Sequence, residues 1–294
     1  MLLLAALVWG VAFVAQSEGL NYVETFTFNT CRFLLGGAVL IPCIFFLHGR
    51  KDSAWQTLSE KEKKEQTRMG IIGGICCGCI LCLASCLQQF GIAQTTVGKA
   101  GFITTLYIII VPFMGLFLKR KIGINIWISA VIAAVGMYFL CITESFSIRA
   151  GDRLVLMCSV VFSVHILVID HFSPKADGVV ISCVQFFTAG VIASVLMLLF
   201  EHPSVSAVIA AAAPILYAGV MSCGVGYTLQ VVAQNGVDPT VASLLLSLES
   251  VFSVLAGWML LGQKLSGREL FGCVLVFAAV LLVQIPTEKL FHTA

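Results

Sequence analysis

Charged residues are scarce in this chain: Asp, Glu, Lys and Arg together account for only 11% of its 294 residues. Soluble domains usually carry about 25% charged residues, so the composition excludes a soluble enzyme and a disordered segment. The formal net charge of +2 gives no general attraction to polyanions, and we expect no nucleic-acid partner. Hydrophobic residues make up 59% of the sequence, which is typical of a protein that lies in a lipid bilayer.

Familiar catalytic and nucleotide-binding motifs are absent as well. The sequence has no Gly-x4-Gly-Lys-[Ser/Thr] loop for phosphates, no His-Glu-x-x-His pair for zinc and no Gly-x-Ser-x-Gly elbow. These absences argue against ATP hydrolysis and against an intramembrane hydrolase. We therefore predict that the chain is not an enzyme and uses no cofactor, with an intramembrane enzyme or a membrane sensor or scaffold as the alternatives.

The cysteines do not form the pattern of a disulfide framework. Nearly all twelve lie in apolar runs, and five are crowded into 76–86, whereas disulfide frameworks belong to small secreted domains. Cys79, Cys82 and Cys86 lie near one helical face, which raises the alternative of a metal cluster. Structural metal sites need closed tetrahedral ligation and usually lie in soluble loops, so packing of small polarizable side chains between helices is the better explanation and we predict no metal site.

Ten apolar stretches are each long enough to cross about 30 Å of hydrocarbon as a helix. They cover residues 2–17, 25–47, 69–91, 96–118, 123–143, 153–171, 179–200, 208–232, 239–261 and 269–286. The first is not a signal peptide by this pattern, because no Lys or Arg precedes Arg32. The fold class predicted is an all-α polytopic membrane protein with ten transmembrane helices.

Basic residues predict the orientation of these spans. With the N-terminus inside, the inner loops hold 11 Lys and Arg residues and the outer loops hold 5, so both termini should be cytoplasmic. The only long connection, 48–68, contains Ser59 and Glu62 in the spacing of a capping box. It should start a helix that continues into the third span.

An internal repeat relates the two halves of the sequence. Residues 100–118 align with 242–260 at an offset of 142, which also places Gln88 on Gln230. An offset of 153 pairs Arg32 with Gln185, Phe33 with Phe186 and Gly37 with Gly190. Two five-helix repeats, 1–143 and 151–286, must enter the membrane in opposite directions because five is odd. Inverted repeats are typical of secondary transporters that bind a solute near the midplane.

Three segments resemble the EamA family of the drug/metabolite transporter superfamily: ALVWGVAF at 6–13, KAGFITTLY at 99–107 and ASLLLSLESVF at 242–252. The resemblance implies two EamA repeats in the inner membrane of a bacterium. It also implies a central cavity lined by the first, third, fourth, sixth, eighth and ninth helices. Members of the family commonly export amino acids or other small metabolites.

Three ionisable side chains inside the spans are candidate site residues. A charge at the bilayer centre costs at least about 2.5–3.5 kcal/mol, so Glu249 should face protein or water and could couple protons, bind a substrate amine or serve as a structural acceptor. Arg32 could bind a substrate carboxylate, reach the outer surface or brace a loop. His165 could relay protons or simply pack.

Neutral candidates complete the predicted site. The amides of Gln88, Gln230 and Gln234 could orient a polar solute or join helices. Trp9, Phe13 and Tyr107 could form a cavity wall or serve as packing and interfacial residues. The hydroxyl of Thr104 could face the solute or bond back to its own helix.

We predict a secondary transporter of a small metabolite, an exporter that uses alternating access and possible proton coupling. Its other partner is the lipid bilayer of the cell membrane. Gly70, Gly74 and Gly78 form a ridge of small residues on the third helix, which favours a helix contact within the protomer over dimerisation. The chain should therefore be a monomer or a homodimer.

Overall fold

The computed structural model describes residues 1–49, 54–95, 97–120, 122–141, 149–261 and 266–283, and within these ranges all regular structure is helical. Large apolar side chains cover its periphery: Phe117 is 86% exposed and Leu198 is 72% exposed. Patches of this extent are rare on soluble monomers and match a lipid-facing surface.

The helices follow the apolar stretches of the sequence, with interruptions. Their bounds are α1 Leu2–Gly19, α2 Thr25–Gly49, α3 Ala54–Thr57, α4 Glu60–Ile92, α5 Val97–Thr104, α6 Tyr107–Phe117, α7 Ile124–Cys141, α8 Ala150–Phe172, α9 Gly178–Phe200, α10 Val205–Ala210, α11 Ala212–Leu216, α12 Thr228–Gln234, α13 Pro239–Leu246, α14 Glu249–Leu261 and α15 Gly267–Val283. A π-helix, Tyr217–Tyr227, connects α11 to α12.

Eight helical segments in the described ranges are long and apolar enough to cross a membrane, and a shorter apolar helix covers Ile124–Phe139. The tenth predicted span coincides with α15, which has 17 residues. A helical membrane protein is confirmed, whereas the count of ten spans and the inversion of the repeats stay predictions. The orientation count also used residues that lie outside the described ones: Arg50, Lys51, Lys121, Lys264 and Lys289.

The predicted capping box at the start of α4 is confirmed. The Ser59 hydroxyl accepts a hydrogen bond from the Glu62 backbone N–H, and the Glu62 carboxylate accepts from the Ser59 N–H at 2.8 Å. The hydroxyl and N–H of Ser59 lower the pKa of Glu62 by stabilising its ionised form. As predicted, the helix continues without interruption into the third span.

The fourth and ninth predicted spans are each divided by a tight turn. The breaks lie at 105–106 and 247–248, which are equivalent positions at the offset of 142. Each turn has the same backbone bonds: Leu106 N–H to Ile103 C=O and Leu248 N–H to Leu245 C=O. Thr105 and Ser247 hydroxyls bond back to carbonyls of the preceding turn, and such bonds bend helices.

Helix contacts recur when the two halves are exchanged. The counterparts α7 and α15 pack on each other, as do α2 and α9. In addition, α4 packs on α8 as the π-helix packs on α1, and α6 contacts α8 as α14 contacts α1. This reciprocity is what a two-fold relation between the halves produces.

Individual side chains show the same exchange at the offset of 153. A Cβ on Gly37 would lie 3.0 Å from the Phe187 ring, and a Cβ on Gly190 would lie 2.7 Å from Leu34. Phe187 is the counterpart of Leu34, so the two glycines make equivalent contacts with the opposite half. The rings of Phe33 and Phe186 stack on each other with centroids 6.3 Å apart. A contact between counterparts lies on the axis that exchanges the halves.

Hydrogen bonds and an ion pair connect the ends of neighbouring helices outside the hydrophobic core. The buried Glu201 carboxylate, at the end of α9, accepts hydrogen bonds from the Phe26 and Thr27 N–H groups at 2.7 Å, which satisfies donors that the first turn of α2 leaves free. At the other end of the helices, Arg120 pairs with Asp170. These contacts join ends that the predicted topology puts on one side of the membrane.

The glycine ridge on α4 packs against α9, which confirms the predicted contact within the protomer. A Cβ on Gly74 would lie 2.5 Å from Val184 Cβ, and one on Gly78 would lie 2.6 Å from the Gln185 carbonyl oxygen. Only glycine lets the two backbones approach this closely.

We expect Gly78→Ala to lower the unfolding free energy by about 1–3 kcal/mol, because the added methyl group overpacks a filled contact. Gly101→Ala is the matched control, since a Cβ there meets no atom within 4 Å. Thermal unfolding of both purified variants in detergent measures the difference. Equal melting temperatures for the two variants would contradict the close packing of α4 on α9.

Candidate functional site

One buried cavity brings together nine of the ten residues predicted from the sequence. It lies between α1, α2, α4, α8, the π-helix and the two interrupted spans. It leaves about 40 Å³ for the centres of water-sized molecules, and the smallest hydrated cavities need about 10–15 Å³. The predicted residues on its wall are Trp9, Phe13, Arg32, Gln88, Thr104, Tyr107, His165, Gln230 and Glu249.

Glu249 and Tyr107 begin the helices that follow the two breaks. The Tyr107 hydroxyl donates a hydrogen bond to Glu249 Oε1 at 3.0 Å, between positions separated by 142 residues. They are therefore counterparts in the repeat, and their contact lies on the exchange axis. Glu249 is 4% exposed, so its carboxyl group relies on Tyr107 and the cavity for polar contact.

Arg32 lies on the cavity wall and is also 4% exposed. Its Nη1 donates to Gln16 Oε1 at 3.0 Å, and its guanidinium carbon lies 4.8 Å from the centre of the Phe33 ring. Its Nε is buried with no partner among the described residues. Arg32 and Glu249 make no ion pair in this part of the chain, so one basic and one acidic side chain, both buried, face the same cavity without pairing with each other.

The second half repeats the Arg32–Gln16 contact with an amide and an imidazole. Gln185, the counterpart of Arg32, bonds His165 at 3.1 Å between Oε1 and Nε2. His165 lies on the cavity wall and follows Phe162 by three residues, as Gln16 follows Phe13. The polar contact thus occurs at equivalent positions in both halves, but only the first half has an arginine there.

The predicted amides differ in what they contact. Gln88 Nε2 donates to Thr104 Oγ1 at 3.4 Å. The Oε1 atom of Gln230 is buried without a partner in the described ranges, which leaves an acceptor on the cavity wall. Gln234 is not on the wall: its Nε2 donates to the Ile166 carbonyl oxygen at 3.1 Å, which joins α12 to α8.

Aromatic rings close one side of the cavity. The rings of Trp9 and Tyr227 have centroids 4.5 Å apart, and Trp9 Nε1 donates to the Ser222 carbonyl oxygen at 3.4 Å. Tyr227, Gln16 and Phe162 are wall residues that sequence reasoning missed. The offset between the first and sixth helices, which would have paired Gln16 with His165, is the signal that could have found one of them.

In the part of the chain that the structure describes, the cysteines do not converge on a metal site. Within the ranges that the structure describes, no group of three or more His, Cys, Asp or Glu side chains could hold a metal ion. Cys79 is exposed, whereas Cys82 and Cys86 are buried and contribute to the core between the helices.

Known proteins resemble this chain over nearly its whole length. The EamA-like transporter family matches it twice, over residues 1–142 and 149–285. An uncharacterized transporter from Archaeoglobus fulgidus is 29% identical over 285 residues, which cover 97% of this chain and 84% of the relative. Together these matches identify a multi-pass membrane transporter with a small-molecule substrate.

A solved crystal structure shares the fold. It aligns with a TM-score of 0.71 over 98% of both chains, at 17% sequence identity. At this identity the likeness concerns the arrangement of helices alone.

A double-mutant cycle measures the coupling free energy of the Tyr107–Glu249 contact. We expect Tyr107→Phe and Glu249→Met to be non-additive in unfolding free energy by about 0.6–1.7 kcal/mol, the range for hydrogen bonds between membrane helices. Chemical unfolding in detergent gives the four values required. Tyr22→Phe, which removes an exposed hydroxyl bonded to Glu18, should show no coupling to Glu249→Met. A coupling near zero for Tyr107 would contradict the contact.

Proposed function

Because this chain belongs to the EamA-like transporter family, we propose that it exports a small zwitterionic metabolite, an amino acid or a close relative. The observation that carries this proposal is that a buried basic side chain, Arg32, and a buried acidic side chain, Glu249, lie on the wall of one cavity. Energy for transport comes from a solute or proton gradient.

The charge arrangement supports a zwitterion over an ion of one sign. Burying a charge without a partner costs several kcal/mol, and Arg32 and Glu249 do not pair with each other. A zwitterion supplies both missing partners at once: its carboxylate binds the Arg32 guanidinium, and its ammonium binds the Glu249 carboxylate. A pure anion or a pure cation supplies a partner for only one of the two side chains.

Neutral groups of the wall suit the remaining atoms of such a solute. The unpartnered Gln230 Oε1 accepts from an ammonium group, as Glu249 does. The unpartnered Nε of Arg32 can donate to a carboxylate together with an Nη nitrogen of the same guanidinium group, which is the geometry of strong bidentate pairs. Apolar and aromatic side chains form the rest of the wall, as in most small-molecule sites.

Alternating access is supported by the exchange of contacts between the halves. If the repeats are inverted in the membrane, a conformation that opens to one side has a counterpart that opens to the other, with the helix partners interchanged. The Tyr107–Glu249 contact, which lies on the exchange axis, keeps its place in both conformations. The cavity therefore stays central while the helices around it rearrange.

Proton coupling is the second part of the proposal. Glu249 is a buried carboxyl group that binds either a substrate ammonium or a proton, and the two compete for the same oxygen atoms. After the solute is released on one side, a proton binds to Glu249 there and is carried back to the other side in exchange.

We place the chain in the inner membrane with both termini in the cytoplasm, as a monomer or a homodimer.

Competition experiments test the zwitterion. In proteoliposomes we expect counterflow of labelled alanine, with N-acetylalanine and alaninamide competing at least about tenfold more weakly than alanine, because each leaves a buried polar group unpaired. Arg32→Gln should reduce the discrimination against alaninamide, which lacks the carboxylate. Glu249→Gln should reduce the discrimination against N-acetylalanine, which lacks the ammonium group.

Two surface substitutions provide matched controls for the loss of one charge. Glu18→Gln and Arg68→Gln change exposed residues away from the cavity, and they should leave the competition profile unchanged. Failure of the wild-type protein to exchange alanine or any competing amino acid would overturn the zwitterion proposal. Equal competition by all three compounds would do the same.

A pH gradient tests the coupling. A difference of one pH unit is worth about 1.4 kcal/mol per proton, or about tenfold accumulation of solute, so acid-loaded proteoliposomes should concentrate labelled alanine. A protonophore should abolish accumulation but not counterflow, and Glu249→Gln should not respond to the gradient. Wild-type accumulation that is indifferent to the protonophore would refute proton exchange.

A further inference from the structure

The eighth span contains one residue more than its counterpart in the first half. Gly78 packs against Thr188, and Gly219 packs against Leu35, which is the counterpart of Thr188 at the offset of 153. Gly78 and Gly219 are therefore counterparts. Ten residue steps separate Gly78 from Gln88, whereas eleven separate Gly219 from Gln230.

The buried clusters on either side support this alignment. Cys77 shares a cluster with Ile181, and Ala218 shares one with Phe28, so positions 77 and 218 are equivalent at an offset of 141. Beyond the insertion the offset becomes 142, because Gln88 and Gln230 both lie on the cavity wall.

The π-helix is the physical result of this extra residue. In an α-helix, one inserted residue rotates all later side chains about the helix axis by about 100°. This rotation would move Gln230 off the cavity wall. Since both ends are held in register, the helix absorbs the residue as wider turns, and Tyr217–Tyr227 is π-helical. In the first half, α4 remains an α-helix over the equivalent stretch.

The wide turns contact α1 where it carries Trp9. The Tyr217 hydroxyl donates to the Val8 carbonyl oxygen at 3.0 Å, and Trp9 Nε1 donates to the Ser222 carbonyl oxygen. A Cβ on Gly226 would lie 2.7 Å from Trp9 Nε1. The indole is thus held between the carbonyl of residue 222 and the bare backbone of residue 226.

We propose that the inserted residue determines specificity: the π-helix that it creates holds the Trp9 indole across the cavity, and Trp9 limits the size of the side chain that a solute can carry. Removal of one residue between 222 and 226 restores the narrower turns of an α-helix, which moves the carbonyl of residue 222 and the bare backbone of residue 226 relative to the indole that they now hold. The size limit rests on the proposed function, whereas the position of Trp9 does not.

Fluorescence of Trp9 tests its position without transport. In a background with Trp55, Trp127 and Trp258 replaced by Phe, deletion of Val225 should shift the Trp9 emission maximum and change its quenching by acrylamide. Val225→Ala, which keeps the length of the helix, should leave both unchanged. Identical spectra for the deletion and the substitution would overturn the proposal.

Gly226→Ala tests the same contact if the deletion variant does not fold. Its added methyl group should displace the indole and change the Trp9 spectrum while the helix keeps its register. An unchanged spectrum in this variant would also overturn the proposal.

The size limit is measured as the ratio of tryptophan to alanine counterflow. Trp9→Ala and the deletion of Val225 should each raise this ratio by about tenfold or more, the scale of discrimination by pocket size, and Val225→Ala should not change it. A ratio that does not change in Trp9→Ala refutes the size limit. If the wild-type protein exchanges no amino acid, the proposed function and the size limit fail, while the spectra still decide how Trp9 is held.

Discussion

A helix that is interrupted at membrane depth leaves backbone N–H and C=O groups without helical partners. Such interruptions are tolerated only where protein or a polar cavity surrounds them. The breaks at 105–106 and 247–248 therefore require the neighbouring helices to close around them, and the cavity lies where they do. Tyr107 and Glu249 each start the helix after a break, so the same constraint brings the hydroxyl and the carboxyl group together.

Hydropathy predicted most of the helical segments because the thickness of a bilayer dictates their length. It could not predict the breaks, since apolar composition continues through them. The hydroxyls of Thr105 and Ser247 are no clear signal either: Ser163 and Ser194 make the same backward bonds within α8 and α9, which remain continuous. Only the packing of the other helices distinguishes a hydroxyl that accompanies a break from one that does not.

The cost of burying charge identified Glu249 and Arg32 in the sequence, and the repeat identified Gln88 with Gln230. The same reasoning missed Gln16, because an amide near the end of a span costs little and becomes informative only beside Arg32. It also grouped Gln234 with Gln230, which lies one turn away. The Ile166 carbonyl takes the amide of Gln234 instead, a contact between distant segments that no local pattern reveals.

Duplication supplied the framework of this protein, but the ionisable groups of the two halves have diverged. Arg32 corresponds to Gln185, Gln16 to His165, and Tyr107 to Glu249. A symmetric cavity with two guanidinium groups, or with two carboxylates at the axis, would bury like charges close together and would incur the desolvation penalty twice. One basic and one acidic side chain, each opposite a neutral counterpart, avoid that penalty and make the two ends of the cavity chemically different. Under the proposed function, a zwitterionic solute binds in this cavity in one direction only.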